Sequence, residues 1–434
     1  MKFWKYGRVA MALIGGIVLG LSITCCGVYT SGYMYVTGAQ YNQIGAFKID
    51  HDFGYLTAVT GQPFASAGND PVQEVVIPGG RFLAVVNKGS DSVSIYSIGG
   101  AGTLYYQASY STSGSDPVSI GINSGGTFLY VVDSVAPDGS GRGDVTVFSI
   151  NPTTGQLTLI TNANTFNTNG TQLPYFEVNY KPVQVITAGG TTGSFLYVLD
   201  QAYTAGATGT GVPTACQNQP VGAACTTPDV FLYAINAATG QLTLTQNSAL
   251  TVNAPGGALS TMYTNGQYVY IANTATSAQY PVGSILPYTI GPAGVLQTLV
   301  GGTVAVPNVA GASTFPDAIL SNSTSQFLYV ANFGPSSNPN LANSNISPFT
   351  IDPTNGQLTP ISIAQGTYTT GSGPIWIAED STNQYLYTAN FNDNTISAKV
   401  IDATHGQLSN IIKGTVQTAT VGQPTFLVIS GRTF

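Results

Sequence analysis

The sequence is poor in charged side chains. Asp, Glu, Lys and Arg make up only 7% of the 434 residues, against roughly 25% in an ordinary soluble protein. Small and polar residues must therefore cover most of the surface, while 10% aromatic residues predict a packed core rather than disorder. With 11 basic residues against 18 acidic ones, the chain lacks the basic clusters that bind nucleic acid or anionic lipid, so we expect neither as a partner.

Histidine and cysteine are also scarce. The two histidines, His51 and His405, have no Ser or Cys at an interpretable spacing, so the sequence supports no catalytic triad. Beyond the N-terminus only Cys216 and Cys225 remain, without the further Cys or His ligands that a zinc site needs. An isolated close pair in an exported protein predicts a disulfide. We expect neither a metal nor a cofactor.

The N-terminus predicts export. Three basic residues precede an apolar run, Val9–Ile23, which has the length of a signal-peptide core and is short for a membrane-spanning helix. Cys25 and Cys26 follow in a pattern that resembles the lipobox of bacterial lipoproteins, with Thr24 where Gly, Ala or Ser is usual. We therefore expect residues 1–26 to be a signal peptide and one of the two cysteines to be lipidated in the cell envelope. The alternatives are ordinary cleavage, giving an extracellular protein, or an uncleaved anchor.

One strand-like phrase recurs along the chain. It reads Phe-Leu-Tyr-Val-Ala-Asn in its clearest form and predicts a repeat architecture. The copies are Phe82–Asn87, Phe128–Asp133, Phe195–Asp200, Tyr268–Asn273, Phe327–Asn332 and Tyr385–Asn390, with a weaker one at Tyr33–Gly38.

Each copy belongs to a unit of four predicted strands, which is typical of a propeller blade. A Pro or Gly opens the first strand, and a turn ending in Gly-Gln-Leu joins the third strand to the fourth. The first strands are expected to begin at Pro71, Pro117, Pro182, Gly257, Pro316, Pro374 and Pro424. The last of these lacks a second strand, and Tyr33–Val59 lacks a first, so pairing them completes a ring of seven blades in one domain, 31–434.

These units resemble the lactonase-type seven-bladed β-propellers, a family that includes 6-phosphogluconolactonase-like proteins and carboxy-muconate lactonising enzymes. The resemblance implies an all-β propeller and suggests a lactone hydrolase. It also implies an Arg-His pair directly after the first-strand Pro of one blade in catalytic members. The corresponding positions here are Val72-Gln73, Val118-Ser119, Val183-Gln184, Ala258-Leu259, Asp317-Ala318, Ile375-Trp376 and Thr425-Phe426. The sequence contains no Arg-His pair, so no catalytic residue is carried over and the catalytic residues are unknown.

Long insertions are expected on one face of the ring, where the second-to-third and fourth-to-first loops emerge. Extra loops on one face of a repeat protein commonly form a binding surface, although surface loops also lengthen without function. The insertions are 134–143, 201–229, 274–283 and 333–345 after second strands, and 161–181 and 301–315 before first strands.

Polar and aromatic residues near this face are the ligand-binding candidates. Asp133 and Asp200 end second strands in neighbouring blades, where they either face the funnel or cap the next turn, as Asn does elsewhere. A buried Glu is a candidate general base, and Trp376 either stacks on a sugar ring or fills the channel. The candidates are Glu74, Asp133, Tyr175, Glu177, Tyr180, Asp200, Asp317 and Trp376.

Two functions remain open from the sequence. The first is an exported, lipid-anchored monomer that binds a small molecule, a carbohydrate or an envelope protein through its loop-rich face. The second is a hydrolase that opens a sugar-derived lactone. A phosphorylated substrate would need cationic contacts, and beyond the leader the only arginines are Arg81, Arg142 and Arg432. We therefore expect neutral substrates if the chain is an enzyme.

Overall fold

The computed structural model describes residues 29–431 except 167, 191–192, 202–215, 217–226, 253–257, 275–281, 308–313, 335–343, 364–365 and 419–420. These residues form seven antiparallel sheets, each of four strands in blade order, and four of the sheets have a short fifth strand besides. The short strands each pair with a third strand and are β4 (Phe64–Ala65), β13 (Phe176–Glu177), β22 (Val304–Ala305) and β27 (Tyr368–Thr369). The all-β, seven-bladed fold predicted from the repeats is confirmed.

We number the blades in chain order, so that blade 1 contains β1. The first strands are β5 (Pro71–Val76), β9 (Ser115–Ile122), β14 (Pro182–Gly190), β18 (Leu259–Thr264), β23 (Pro316–Ser321), β28 (Pro374–Glu379) and β32 (Pro424–Gly431). The second strands are β1 (Thr30–Gly38), β6 (Phe82–Asn87), β10 (Phe128–Val135), β15 (Gly193–Asp200), β19 (Tyr268–Asn273), β24 (Phe327–Asn332) and β29 (Tyr385–Asn390).

The third and fourth strands complete each blade toward the rim. The third strands are β2 (Gln43–Asp50), β7 (Ser92–Ile98), β11 (Asp144–Ile150), β16 (Asp229–Ile235), β20 (Ser284–Ile290), β25 (Asn345–Ile351) and β30 (Thr395–Ile401). The fourth strands are β3 (Leu56–Ala58), β8 (Leu104–Ser111), β12 (Leu157–Ile160), β17 (Leu242–Thr251), β21 (Leu296–Thr298), β26 (Leu358–Pro360) and β31 (Leu408–Gln417).

The C-terminal strand closes the ring. β32 pairs antiparallel with β1, with Leu427 opposite Val36. The first strands of successive blades also contact one another in an unbroken circle, from β32 through β5, β9, β14, β18, β23 and β28 back to β32. Each first strand therefore has a neighbour on both sides, which shields its unpaired edge at the centre of the ring.

The second strands carry the apolar phrase because they are covered on both faces. In β6, β19, β24 and β29 every residue is buried, and a strand packed on both sides reads as a continuous apolar run rather than an alternating one. The buried residues divide into seven apolar clusters, one at each interface between adjacent blades. Strand β8 at the rim is mostly exposed instead, with Leu104 its only buried residue, as expected of an outer edge strand.

The two sequence motifs of each repeat contact each other across the blade interfaces. Tyr329 of the apolar phrase donates a hydrogen bond from its buried hydroxyl to the Gly406 carbonyl of the next blade's turn, at 3.1 Å. Gly406 has a φ of +68°, and a Cβ there would lie 2.3 Å from the Phe327 ring, so the turn requires glycine. The equivalent bonds are Tyr35–Gly102, Tyr197–Gly294, Tyr270–Gly356 and Tyr387–Gly54.

Candidate functional site

The central channel is lined by the residues that directly follow the start of each first strand. These positions enclose a cavity of about 250 Å³. Its walls combine aliphatic, aromatic, amide, hydroxyl and carboxyl groups from all seven blades. The lining residues are Val72, Gln73, Val118, Val183, Gln184, Ser260, Thr261, Asp317, Ile375, Trp376, Thr425 and Phe426. In each blade the first strand starts beside the end of the second strand, so this cavity opens toward the face predicted to carry the long loops.

The expected start of the first strand in blade 5 is wrong. Leu259, and not Gly257, lies opposite Asn273, just as Pro71 lies opposite Asn87. Leu259 replaces the proline that marks the start of the first strand in the other blades. The sequence pattern therefore places this start two residues too early. The channel residues of blade 5 are therefore Ser260 and Thr261.

Hydrogen bonds between blades occupy most polar groups of the channel wall. Gln73 Oε1 accepts from the Ile120 amide at 3.0 Å. Gln184 Oε1 accepts from Thr261 Oγ1 at 3.0 Å and also from the amide of Met262. These side chains join adjacent first strands, which stabilises the ring.

The same linking role extends to the hydroxyl groups of the wall. Ser260 Oγ donates to the Pro316 carbonyl at 2.6 Å, and Thr425 Oγ1 donates to the Pro71 carbonyl at 2.9 Å. At the positions where the resemblance implies an Arg-His pair, the polar side chains of this protein thus form hydrogen bonds between adjacent blades.

Asp317 is the exception among the polar channel residues. Within the described part of the chain no hydrogen bond reaches its carboxylate, and it is the one acidic side chain that lines the cavity. It is half-buried in the channel wall, and desolvation raises its pKa to about 7. A carboxyl group with such a pKa in a cavity exchanges protons near neutral pH and is a candidate functional group.

Trp376 and Phe426 form an aromatic wall in the same cavity. Their ring centroids are 3.9 Å apart with an angle of 33° between the planes, and they come from the adjacent blades 7 and 1. Trp376 also packs against the apolar clusters on both sides of blade 7. The side chain therefore fills space between blades and still presents a surface to the channel.

Asp133 and Asp200 lie away from the channel, buried at the ends of second strands. Each faces a second aspartate across the sheet: Asp133 is the register partner of Asp144, and Asp200 that of Asp229. All four side chains are buried. The second member of each pair was not anticipated from the sequence, although both open a third strand directly after a long loop.

The Asp133–Asp144 pair is short of hydrogen-bond donors. Thr146 Oγ1 donates to Asp133 Oδ2 at 2.9 Å, whereas Asp133 Oδ1 and both Asp144 oxygens have no partner. Burial, and for Asp144 also the charge of Asp133, raises the pKa of both carboxyl groups. At least one of the two is therefore protonated at neutral pH.

The Asp200–Asp229 pair has one amide donor. Asn179 Nδ2 donates to Asp229 Oδ2 at 2.6 Å. Burial and the charge of Asp229 raise the pKa of Asp200 well above its ordinary range. A neutral Asp200 carboxyl group then donates a hydrogen bond to Asp229, which allows the two carboxyl groups to be buried next to each other.

The remaining candidates lie apart from the channel wall. Glu74 is 1% exposed and lies between blades 1 and 2; burial raises its pKa, and the backbone of Thr37 and Val428 offsets this only in part. Glu177 is exposed at the rim of blade 3, opposite Asp144.

Tyr175 and Tyr180 lie close to Glu177 in the chain and also outside the channel lining. Tyr175 is buried, and the Arg142 guanidinium lies 5.5 Å from the centre of the Tyr180 ring, a cation–π contact. The structure thus brings Asp317 and Trp376 together and separates the other candidates.

Two predictions about cysteines involve residues outside the described ranges. Cys25, Cys26 and Cys225 lie outside them, and Cys216 is buried, so lipidation and the disulfide stay predictions. No helix in the described ranges is long and apolar enough to cross a membrane. Among the same residues no three His, Cys, Asp or Glu side chains come close enough to hold a metal ion.

Comparison with known families decides the classification. The model of the family described as lactonase, 7-bladed β-propeller, matches residues 28–171 and 227–429. The chain belongs to this lactonase family. No curated protein matches the sequence significantly.

Solved structures share the fold of this lactonase-family propeller at low sequence identity. A putative 6-phosphogluconolactonase from Bacteroides fragilis has 18% identity and a TM-score of 0.63, over 92% of this chain and 98% of that one. The periplasmic gluconolactonase of Pseudomonas aeruginosa has 16% identity and a TM-score of 0.64, over 92% and 99%. A protein from Lactobacillus plantarum has 18% identity and a TM-score of 0.62, over 92% and 99%.

Proposed function

We propose that this lactonase-family propeller binds a neutral, hydroxyl-rich ring, a sugar or a sugar-derived lactone, at the mouth of its central channel. The single observation that carries the proposal is Asp317, a carboxylate without a partner that shares its cavity with the Trp376–Phe426 pair. A carboxylate that makes no hydrogen bond within the protein is free to accept one from a ligand hydroxyl group.

The composition of the cavity fits such a ligand. Aromatic faces pack against the apolar faces of a sugar ring, and a carboxylate accepts its hydroxyl protons. The channel wall contains no Arg, Lys or His among the described residues, so a phosphorylated ligand would find no cation to compensate its charge. The loop-rich face around the cavity supplies the remaining contacts in this proposal.

Hydrolysis of the lactone is the second candidate. It is favoured by the pKa of Asp317, about 7, because a general base works best when its pKa lies near the working pH. Asp317 would take a proton from a water molecule as that water attacks the ring carbonyl. The developing oxyanion needs preorganised donors, but the nearby Ser260 and Thr425 hydroxyl groups donate to backbone carbonyls. Binding without turnover is therefore the primary proposal.

We also propose that the protein is exported and anchored by lipid at Cys25 or Cys26. The support is the sequence of residues 1–26, with its basic start, apolar run and lipobox-like end. In this arrangement the propeller lies outside the cytoplasm as a monomer, where soluble sugars and their lactones reach the open face.

A hydrolysis assay alongside a binding assay tests the proposal. The chain from Val28 onward is titrated calorimetrically with glucono-1,5-lactone, glucose and 6-phosphogluconolactone, and acid release is followed for each lactone. We expect saturable binding of the neutral ligands, weakened in Asp317→Asn, and no turnover above the spontaneous rate. Turnover of neutral lactone that Asp317→Asn abolishes would establish the second candidate instead. Turnover of 6-phosphogluconolactone at enzymatic rates would contradict both.

A further inference from the structure

A buried lysine replaces a buried aromatic residue in blade 7. Lys399 is the fifth residue of the third strand β30, and it is only 6% exposed. The other six blades all place a buried aromatic ring at this position of the third strand. These residues are Phe47, Tyr96, Phe148, Tyr233, Tyr288 and Phe349.

A wide bulge in the neighbouring fourth strand gives the lysine space. Ser397 pairs with Thr415 and Lys399 with Asn410, so residues 411–414 of β31 loop out opposite Ala398. Blade 4 contains the same four-residue bulge at 245–248. In blade 4 the third-strand residues on either side of the bulge are Phe231 and Tyr233, whose ring centroids lie 5.4 Å apart. In blade 7 the same two positions are Ser397 and Lys399. The third strand therefore presents aromatic rings to the bulge in blade 4 and polar groups in blade 7.

The charge on Lys399 has no counter-charge in the described part of the chain. Its Nζ donates to Asn410 Oδ1 at 2.5 Å, and both ion pairs among the described residues involve histidines elsewhere. Burial lowers the pKa of the Lys399 ammonium group, and no carboxylate offsets this effect. An ammonium group has three donors, so two remain after the bond to Asn410.

A cavity of about 400 Å³ lies against this lysine at the rim of blade 7. Hydroxyl groups dominate the rest of its wall, and its size is that of a small organic ligand rather than of a few waters. The polar lining residues are Thr369, Thr370, Ser397, Lys399, Asn410 and Thr415. The cavity is formed by strands β30 and β31 of blade 7 and by Thr369 and Thr370, which precede the first strand of that blade. It shares no residue with the central channel.

We propose that this rim cavity is a second binding site, which takes a small oxyanion through the Lys399 ammonium group. The anion pairs with the ammonium charge, and the hydroxyl groups of Thr369, Ser397 and Thr415 bind its remaining oxygens or hydroxyl groups. The Thr370 hydroxyl already donates to the Gly371 carbonyl. A hydroxylated carboxylate and inorganic phosphate share this chemistry, and the experiment distinguishes them. The site is independent of the ligand proposed for the channel.

Calorimetric titration of the full chain in mild detergent at low ionic strength tests the site. The probes are gluconate, inorganic phosphate and the uncharged polyol sorbitol. We expect gluconate or phosphate to bind and sorbitol not to bind, and we expect Lys399→Met to weaken the anion about tenfold or more. The anion that binds more tightly identifies the class of ligand.

Two further variants separate charge from folding. Lys399→Tyr introduces the residue that blades 2, 4 and 5 contain at this position, so it should fold and still fail to bind the anion. Lys48→Met removes a lysine from the third strand of blade 1 and should bind like the wild type. Sorbitol binding as tightly as the anions, absence of binding by both anions, or unchanged affinity in Lys399→Met would each overturn the proposal.

Discussion

Asp133 and Asp144 face each other across the β10–β11 pair, fully buried, with three of their four carboxyl oxygens lacking a partner. In blades 2, 6 and 7 the corresponding pairs are Asn with Ser, Asn or Thr, and their amide groups donate hydrogen bonds. Blade 3 thus has two acids in place of a neutral pair with an amide donor, which makes its stability depend on pH.

Asp144→Asn should therefore stabilise the protein at alkaline pH. The folded-state pKa values of Asp133 and Asp144 are raised above the unfolded values near 4. The folded pair therefore keeps protons that the unfolded chain releases. The contribution of the pair to stability is most favourable at low pH and decreases as pH rises from about 4 through the raised pKa values. The substitution removes one buried acid, and we expect the free energy of unfolding at pH 8 to rise by about 1–3 kcal/mol.

Denaturant unfolding at pH 5 and pH 8 measures this effect. The gain from Asp144→Asn should shrink at pH 5, where the wild-type pair is protonated. Asp116→Asn, at an exposed position of strand β9 in the same blade, is the matched control and should change little at either pH. Equal destabilisation by Asp144→Asn at both pH values would contradict the protonated pair.

The interblade tyrosines predict a contrast between two identical substitutions. Tyr329 donates from its buried hydroxyl to Gly406, whereas the equivalent Tyr130 hydroxyl has no partner. Tyr329→Phe should lower the free energy of unfolding by about 1 kcal/mol, while Tyr130→Phe should leave it unchanged or raise it. Thermal and denaturant unfolding of the two variants check the contrast, and equal losses would refute this role of the hydroxyl.

Ligand affinity in the channel should depend on the ionisation of Asp317. Its pKa is about 7, and its ionised form accepts ligand hydroxyl protons. The affinity of a neutral sugar or lactone should therefore increase between pH 6 and pH 8, and Asp317→Asn should remove this dependence. Calorimetric titration at both pH values measures it, and a pH-independent wild type would argue against contact with Asp317.

Lipid anchoring predicts how the protein fractionates. Replacing both Cys25 and Cys26 by Ser should release the protein from the membrane fraction, because the diacylated cysteine is its only anchor in this account. Fractionation of cells that express the wild type and the double variant gives the answer. Retention of the double variant in membranes would refute lipidation.

The sequence predicts the ring because the fold repeats its physical requirements seven times. Each second strand is covered on both faces, and each turn must admit an aromatic ring of the previous blade, as Gly406 does for Phe327. In blade 5 the predicted start of the first strand is two residues too early, because Leu259 replaces the proline that marks this position in the other blades. A pattern of residue types shows where a strand lies. It cannot show at which residue the strand begins when the proline that usually marks the start is replaced.

The site is less accessible to sequence reasoning because it depends on which way side chains point across strands. Asp317 and Trp376 were identified as candidates and share the channel cavity. Asp200 ends strand β15 as predicted, whereas β10 continues past Asp133 to Val135. Each of the two faces another aspartate rather than the funnel. The unusual position of Lys399 is evident only when the seven third strands are aligned, because the other six have an aromatic residue there.

Fluorescence of Trp376 is the most direct test of the channel as the ligand site. The chain has two tryptophans, and the other is Trp4 in the predicted signal peptide, so tryptophan emission of the chain from Val28 onward comes from Trp376 alone. Titration with glucono-1,5-lactone or glucose should change this emission to saturation, with about tenfold weaker binding in Asp317→Asn. Calorimetric binding of the same ligands with unchanged Trp376 emission, and with wild-type affinity in Asp317→Asn, would contradict the account.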